Sequence, residues 1–583
     1  LEHQASDAVL IESLLDQAQN SLLTSGEEAQ ISDKRLKLTS AKKMAEEVLS
    51  LDQANSDAHH ILALSHTLLG ESSRAKKHIA KAFEFGEQSL TLKLEKAHID
   101  LAAGHYNKAE AGFADILKEQ PNNVDAFLGI AISKQRKKDW GSAFLHYNSL
   151  INKDIKNDTI IGGLQTVLPH IEVDFWTAEY ERTILSALTC ASGEKSGLAK
   201  ISNSLVIHKY NLEQRDTQLD FAELVADPLL LAIIQHKLIA TPEIEGLVTI
   251  LRETIVTQIT AARELPDILE EWVLALAEAA VYYGYCWSVN DAENNILCDL
   301  SHAVKAQAKT CDIVENCAGA VMLYSMYEEL YAAPFSFLLM AITLTDWPEK
   351  MRSFLASSLY EPARLHSIEV ELKQAISPSH SSLIYEREPL APHPKWHQLH
   401  VGEEQSATQF LLATFGDKLP LKSRKRPLNV LVSTAGTGQH CLQMASQFND
   451  VNLTGADSSI ANLAYAEYQS RNYDIDNVRW VQCTETKLTC LNQRFDLVDW
   501  TKPLNFSVNP LETLRFIKRL MATTGIGKLR IELNQQRPTE NLLKKLASGN
   551  QLPADLDTIR NVRHALIEDT EKDDWHALLR DPG

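Results

Sequence analysis

The chain has 583 residues, 44% of them hydrophobic and 23% charged, which is the composition of ordinary globular domains, three or four of them by size. Its 57 basic and 77 acidic residues leave a net charge of −20, which disfavours a general nucleic-acid binder, because such a protein needs a basic face. That charge permits a peptide partner without arguing for one. The sequence contains no run of about 18 uncharged apolar residues, so no transmembrane helix is expected. The eight cysteines are scattered with no Cys-x-x-Cys pair, as in a cytoplasmic protein with reduced thiols and no zinc site. The opening Leu1-Glu2-His3-Gln4 lacks a methionine and a signal-peptide core and reads as a truncated start.

In chain order, the first signal is a repeat. Ala41, Ala75, Ala109 and Ala143 are spaced by 34 residues, and so are Ala63, Ala97 and Ala131. Ile79, Phe113 and Tyr147 fill a third matching position, and Pro121 stands where a unit should end. Small residues where two helices touch, with a larger apolar residue one turn on, are what a stacked helix pair requires. The period resembles that of the tetratricopeptide repeat (TPR). Three repeats are expected over 56–155, with a half repeat at Ser40–Leu51 and a leading helix Ala5–Leu23 as caps, giving a domain over 1–155. The resemblance implies a concave groove for a peptide or protein. Lys134, Arg136, Lys137 and Lys138 are candidates for acidic groups there, although a solvated loop is the plainer reading.

Residues 156–383 read as a helical middle domain dense in Leu, Ala and Ile. Asp227-Pro228 is an N-cap followed by proline at the first helical position, and Pro242 and Pro266 open helices in the same way. Leu269–Trp287 is expected as one apolar helix. Its terminal Tyr282, Tyr283, Tyr285, Cys286 and Trp287 read as core packing, or as the wall of a substrate pocket. Residues 384–427 form a linker. Prolines 389, 392 and 394 hold Ile384–Trp396 extended, and Leu421–Pro427 is a solvated basic run.

Residues 428–583 carry the α/β signal. Leu428–Val432 is an apolar, β-branched run typical of a buried parallel strand. A tight loop follows, Ser433-Thr434-Ala435-Gly436-Thr437-Gly438, and then a helix from Gln439 to Phe448. A second strand, Val451–Gly455, leads to Asp457. Gly436 and Gly438 allow close backbone approach to a ligand, and the helix start aims N–H groups and a positive dipole end at it. Asp457, 19 residues after Gly438, is placed to accept from ribose hydroxyls. Further on, a helix is expected at Ile460–Arg471, strands at Val478–Gln482, Arg494–Trp500 and Gly527–Leu533, a helix at Leu511–Met521, and a helical tail to Gly583. The expected fold is therefore a multidomain one, an all-α repeat and helical half followed by a doubly wound α/β domain.

This stretch resembles the S-adenosylmethionine (SAM) site of class I methyltransferases, and in particular a bacterial group with TPR repeats ahead of the methyltransferase fold. That group reads Ala-Gly-Cys-Gly-Thr-Gly-Gln-His at the loop, then Asp-Leu-Ser running into Leu-Ala-Tyr-Ala. This chain has Ser433 to His440, Asp457-Ser458-Ser459 and Leu463-Ala464-Tyr465-Ala466. The resemblance implies SAM as cofactor, held by Thr434, Ala435, Gly436, Thr437, Gly438, Gln439, His440, Asp457, Ser458, Cys483 and Thr484. It implies substrate contacts at Tyr385 and Trp396, from the stretched Tyr-Glu-x-Asn-Pro-Tyr-Pro-Arg-Trp motif, and at Tyr283 and Tyr285 in the middle region. Four departures stand out. Tyr283-Gly284-Tyr285 stand where the group has Asn-Glu-Tyr. Thr434 replaces the group's first glycine, where a Cβ and a hydroxyl are expected to crowd the methionine end of SAM or strain the turn. Cys483-Thr484 stand where the group has Ala-Asp, leaving Thr484 or Glu485 for the adenine. Thr501-Lys502-Pro503-Leu504-Asn505-Phe506 lacks the group's paired histidine. At His440, capping or packing beneath the loop is the plainer reading. Two functions compete: a methyltransferase acting on a peptide, protein or carrier-bound substrate, and an inactive methyltransferase-like scaffold or partner subunit in a homo- or hetero-oligomer.

Overall fold

Helix starts in the first half of the chain keep the spacing of its alanines. In the computed structural model the helix pairs α3 (Ser56–Leu68) and α4 (Ser72–Phe85), α5 (Leu90–Ala102) and α6 (Tyr106–Glu119), and α7 (Val124–Arg136) and α8 (Trp140–Asn152) each begin 34 residues after the pair before. Ahead of them lie α1 (Glu2–Ser25) and α2 (Ile31–Leu51). The structure describes residues 2–25, 31–87, 89–155, 157–189, 195–214, 219–262, 265–307, 313–375, 392, 395–396, 398–399, 404–416, 427–484, 488, 491–504, 509–531, 560–561 and 563. Contacts divide the chain into two units, Leu1–Val289 with Ile559–Gly583, and Asn290–Thr558. The division falls inside the stretch read from sequence as a single helical middle domain.

In the first unit the repeat is written into the caps as well as the core. Asn55, Ser89, Asn123 and Asn157, each 34 apart, accept with their side chains from the backbone N–H three residues on, at Ala58, Leu92, Ala126 and Ile160. Each satisfies a donor that an unprotected helix start leaves orphaned. The cap at Asn157 opens α9 (Asp158–Val167), so the period runs one helix beyond the expected limit of 155. Ala63, Ala75, Ala97, Ala109, Ala131 and Ala143 are all buried where helices meet. A Cβ on Gly129 would press into the Phe113 ring, and one on Gly163 into the Tyr147 ring; these two contacts are also 34 residues apart. Lys134 and Lys137 both pair with Glu110, and Lys134 also reaches Asp139, so two of the four residues of the basic run are neutralised within the chain.

Among the described residues of this unit six more α-helices follow: α10 (Ala178–Thr189), α11 (Lys195–Lys209), α12 (Phe221–Val225), α13 (Pro228–Gln235), α14 (Pro242–Ala262) and α15 (Asp267–Tyr282). The expected N-cap at Asp227 is present, accepting from Leu229 N and Leu230 N. The apolar helix stops at Tyr282 rather than Trp287, because Gly284 (φ 64°) and Tyr285 (φ 57°) are left-handed and cannot continue it. The Tyr283 hydroxyl is used within this unit, accepting from Ile239 N and donating to Ile239 O. The Tyr285 carbonyl accepts from Arg560 Nε, and Arg563 donates from Nε and Nη2 to the two carboxylate oxygens of the buried Glu245.

The second unit opens with α16 (Asp291–Gln307), α17 (Ile313–Ser325), α18 (Ser336–Leu339), α19 (Glu349–Leu355) and α20 (Glu361–Ala375), then α21 (Ala407–Phe415). Its sheet has five described strands: β1 (Leu428–Ser433), β2 (Val451–Asp457), β3 (Val478–Gln482), β4 (Phe495–Trp500) and β5 (Met521–Leu529). All are parallel, in the order β3-β2-β1-β4-β5. The intervening helices are α22 (Gln439–Gln447), α23 (Ile460–Asn472) and α24 (Pro510–Leu520). Val430 and Val432 pack with Cys441 and Ala445 of α22, while Leu431 packs on the opposite face with Ile517 and Leu520 of α24. A strand apolar on both faces needs this double cover. The last strand begins six residues before the expected Gly527. It carries an irregularity between Phe495 and Leu497 of its partner, where a Cβ on Gly525 would meet the Phe495 carbonyl oxygen at 2.9 Å. Most of the expected tail to Gly583 lies outside the described residues, as do Tyr385, Glu485, Asn505 and Phe506.

The repeats also carry a titratable cluster. His59 Nδ1 and His78 Nδ1 are 3.0 Å apart, and the His66 and His78 rings stack at 5.4 Å. Burial, then His59, His66, Lys81 and Lys42, push His78 down from 6.5 to about 4. Below about pH 6.5 the unfolded chain therefore binds a proton that the folded chain refuses until about pH 4. Stability is full above that window and falls as pH drops through it. In urea titrations at pH 7 and pH 5, His78→Gln is expected to lose less stability between the two than the parent. An equal loss in both would contradict this assignment.

Candidate functional site

The order of the parallel strands reverses between β1 and β4, and in doubly wound sheets the crevice at that reversal, beyond the C-terminal strand ends, is where ligands bind. The loop after β1 lies there. Three of its residues are left-handed: Thr434 (φ 46°), Gly436 (φ 56°) and Gly438 (φ 84°). The two glycines serve different ends. A Cβ on Gly438 would lie 2.5 Å from Ala466 Cβ and 2.9 Å from Trp480, so this glycine lets α22 close onto α23. A Cβ on Gly436 would meet nothing within 4 Å, so the space above it is open for a ligand. No side chain caps α22 at Gly438, and its first-turn N–H groups are those a helix leaves without an intrahelical partner.

The buried Asp457 fixes the loop from the next strand. Its Oδ2 accepts from Gly436 N at 2.8 Å, and its Oδ1 accepts from Ser459 N at 2.9 Å and from Asn462 Nδ2 at 3.5 Å. A carboxylate has about four acceptor sites, so about one remains for a ligand hydroxyl. Ser458 is exposed, and its carbonyl accepts from Gln482 Nε2. Cys483 is buried and donates its N–H to the Asp457 carbonyl at 2.8 Å, placing Thr484 beside the same strand ends.

Thr434 turns its hydroxyl to that of Thr501, 2.7 Å away across the β1–β4 crevice, and the Thr501 hydroxyl also meets the Ser433 and Thr434 carbonyls. A β-branched residue in the left-handed region costs about 1–2 kcal/mol, and this pair of hydroxyls offsets part of it. The Thr434 side chain is thereby drawn toward β4. His440 Nε2 lies 2.8 Å from Asp499 Oδ2, which also accepts from Lys528 Nζ at 2.8 Å. Asp499 is opposite Val432 on β1 and Lys528 on β5. Burial alone would raise its carboxyl, but the bonds from His440 and Lys528 outweigh that and hold it below the usual range.

Trp396 reaches the loop from the segment before the sheet. Its indole Nε1 donates to the Thr437 carbonyl at 2.9 Å, and its own carbonyl accepts from the Tyr465 hydroxyl and Gln469 Nε2. The ring stacks on Tyr473, whose hydroxyl accepts from Leu399 N. Trp396 is buried and clamps the loop to α23.

Thr434, Ala435, Gly436, Thr437, Gly438, Gln439, His440, Asp457, Ser458, Cys483 and Thr484 therefore meet at one edge of the sheet. Trp396 joins them as a clamp, whereas Tyr283 and Tyr285 belong to the other unit. Sequence reasoning missed Asp499, Thr501 and Lys528. The open space over Gly436, the uncapped start of α22 and the remaining acceptor site on Asp457 fit an adenosine-bearing donor. Residues 425–582 match the family model described as a methyltransferase domain. No curated protein matches the chain. Among the described residues no helix is long and apolar enough to cross a membrane, and no group of three or more His, Cys, Asp or Glu could hold a metal ion.

If Trp396 secures the loop through its indole hydrogen bond, Trp396→Phe keeps the packing and removes that donor from the Thr437 carbonyl, at about 0.5–1.5 kcal/mol. A lower thermal midpoint is expected, with faster amide exchange over 434–440. Unchanged exchange there would show that the loop stands without the clamp.

Proposed function

We propose that the chain is an SAM-dependent methyltransferase whose TPR-type repeats recruit a peptide, protein or carrier-bound substrate, in a bacterial cytoplasm. The observation that carries the enzyme reading is the Asp457–Gly436 bond, which holds the loop open at the point of strand reversal. The methyltransferase-domain match over residues 425–582 supports it. SAM, when bound, supplies a sulfonium-activated methyl group. Asp457 and the α22 start hold the nucleoside end, Cys483 and Thr484 border the adenine, and the Thr434–Thr501 pair borders the methionine end. Such a transfer needs little acid–base help; alignment supplies most of the acceleration.

Recruitment rests on the first unit. A cavity of about 510 Å³ is lined by His98, Leu101, Ala102, Tyr106, Ile132 and Arg136, where α5 and α7 repeat one another. Leu101, Ala102 and Ile132 beside the exposed Arg136 suit an apolar side chain next to an acidic group. The second reading, a scaffold or partner subunit without activity, draws on the Thr434–Thr501 pair, which adds two hydroxyls to the crevice.

Calorimetric titration of SAM separates the two. The enzyme reading expects saturable binding, and stabilisation by about 2.7 kcal/mol at 100 times the dissociation constant. Asp457→Ala should abolish binding, and Thr434→Gly should strengthen it several-fold. Absence of binding at millimolar SAM in both the parent and Thr434→Gly would leave the scaffold.

A further inference from the structure

The His440–Asp499 contact fixes a proton. Asp499 is buried and held ionised by His440 and Lys528, and an ionised carboxylate only accepts hydrogen bonds. The contact at Nε2 therefore requires Nε2 to carry the hydrogen, and whenever the ring is neutral this leaves Nδ1 with its lone pair bare. Among the described residues no hydrogen bond engages Nδ1, and the side chain is 42% exposed. His440 is the second residue of α22 and reaches from the loop to the end of β4. The ring therefore spans the crevice where the strand order reverses. Asp499 and Lys528 are the charged groups that face it.

We propose that Nδ1 of His440 takes the proton of the methyl acceptor, with Asp499 as its positioning residue; this rests on the donor-binding reading above. The acceptor is then a nucleophile that arrives protonated, an amine or a hydroxyl, rather than a thiolate or carboxylate. The bond from the acceptor atom to the methyl carbon forms as the carbon–sulfur bond breaks. The electron pair of that bond stays on sulfur, which becomes a neutral thioether, and the acceptor's proton moves to Nδ1. The imidazolium so formed faces the Asp499 carboxylate, the same division of labour as in a Ser-His-Asp triad with the two ring nitrogens exchanged. This supplies a base where the segment after β4 has none.

The test uses the full wild-type chain, so folding of a variant is not at issue. Diethylpyrocarbonate labels bare imidazole nitrogens, and its rate at His440 is read by peptide mass spectrometry with and without saturating S-adenosylhomocysteine, binding being followed by calorimetry. At least tenfold slower labelling is expected when the thioether is bound. An unchanged rate with the thioether bound overturns the proposal and leaves the donor reading standing, whereas no binding removes both. In ¹⁵N-histidine-labelled chain, His440 is expected as the Nε2–H tautomer, and an Nδ1–H tautomer overturns the assignment of the bare nitrogen.

Discussion

One carboxylate organises the sheet edge on which the functional reading depends. A loop with three left-handed residues lies outside regular strand or helix geometry, and two of the three are glycines with conformational freedom to lose. Ala435 N donates to the Ala456 carbonyl and Gly438 N to the Ala435 carbonyl, and Asp457 supplies a further constraint. It ends β2, directly beside the loop that ends β1, and binds Gly436 N with one oxygen and the start of α23 with the other. The helix that follows the loop and the helix that follows the acid are thereby tied to one side chain. The carbonyl of the same residue accepts the Cys483 N–H at the end of β3, so three strand ends are registered on one position. Trp396 acts from outside on the same loop, and its partners Tyr465 and Gln469 are on α23. Fixing α23 therefore fixes the loop twice.

How much of this was legible beforehand depends on how local each signal is. The run Leu428–Val432, the two glycines and Asp457 lie within one strand–loop–helix–strand unit, whose sequence pattern is strong because both faces of the strand are buried. Repeats were found through their alanines, which are conspicuous because helix contacts exclude larger side chains. The equally regular caps at Asn55, Ser89, Asn123 and Asn157 went unread because Asn and Ser are common on any surface. With them, the continuation into Asp158–Val167 would have been visible.

The missed residues share a physical reason. Asp496 and Asp499 are both acids in one short strand, and nothing local separates the one that braces Asn429 N from the one that faces His440. The distinction arises only from the register of β4 against β1 and β5. Lys528 and Thr501 are found the same way, from the neighbours the sheet gives them. The resemblance to the family motif singles out Trp396 but not its packing; its burial comes from Tyr465 and Tyr473 on and beside α23, more than 60 residues later in the sequence. Tyr283 and Tyr285 follow a helix end set by left-handed backbone, and their bonds lie within the first unit.

Thr434 is where the departures from the methyltransferase pattern converge. A glycine would hold the same backbone without strain, yet here a β-branched residue does so with its hydroxyl joined to Thr501. The pair joins the side chain to the residue that follows β4, so the feature that looks most damaging in the sequence leaves the space above Gly436 clear. The most direct measurement is a co-crystal structure of the full chain with S-adenosylhomocysteine. The account predicts an adenosine seated over Gly436 with a ribose hydroxyl on Asp457. Ligand bound elsewhere, with the Thr434–Thr501 pair closing an unfilled crevice, would contradict it.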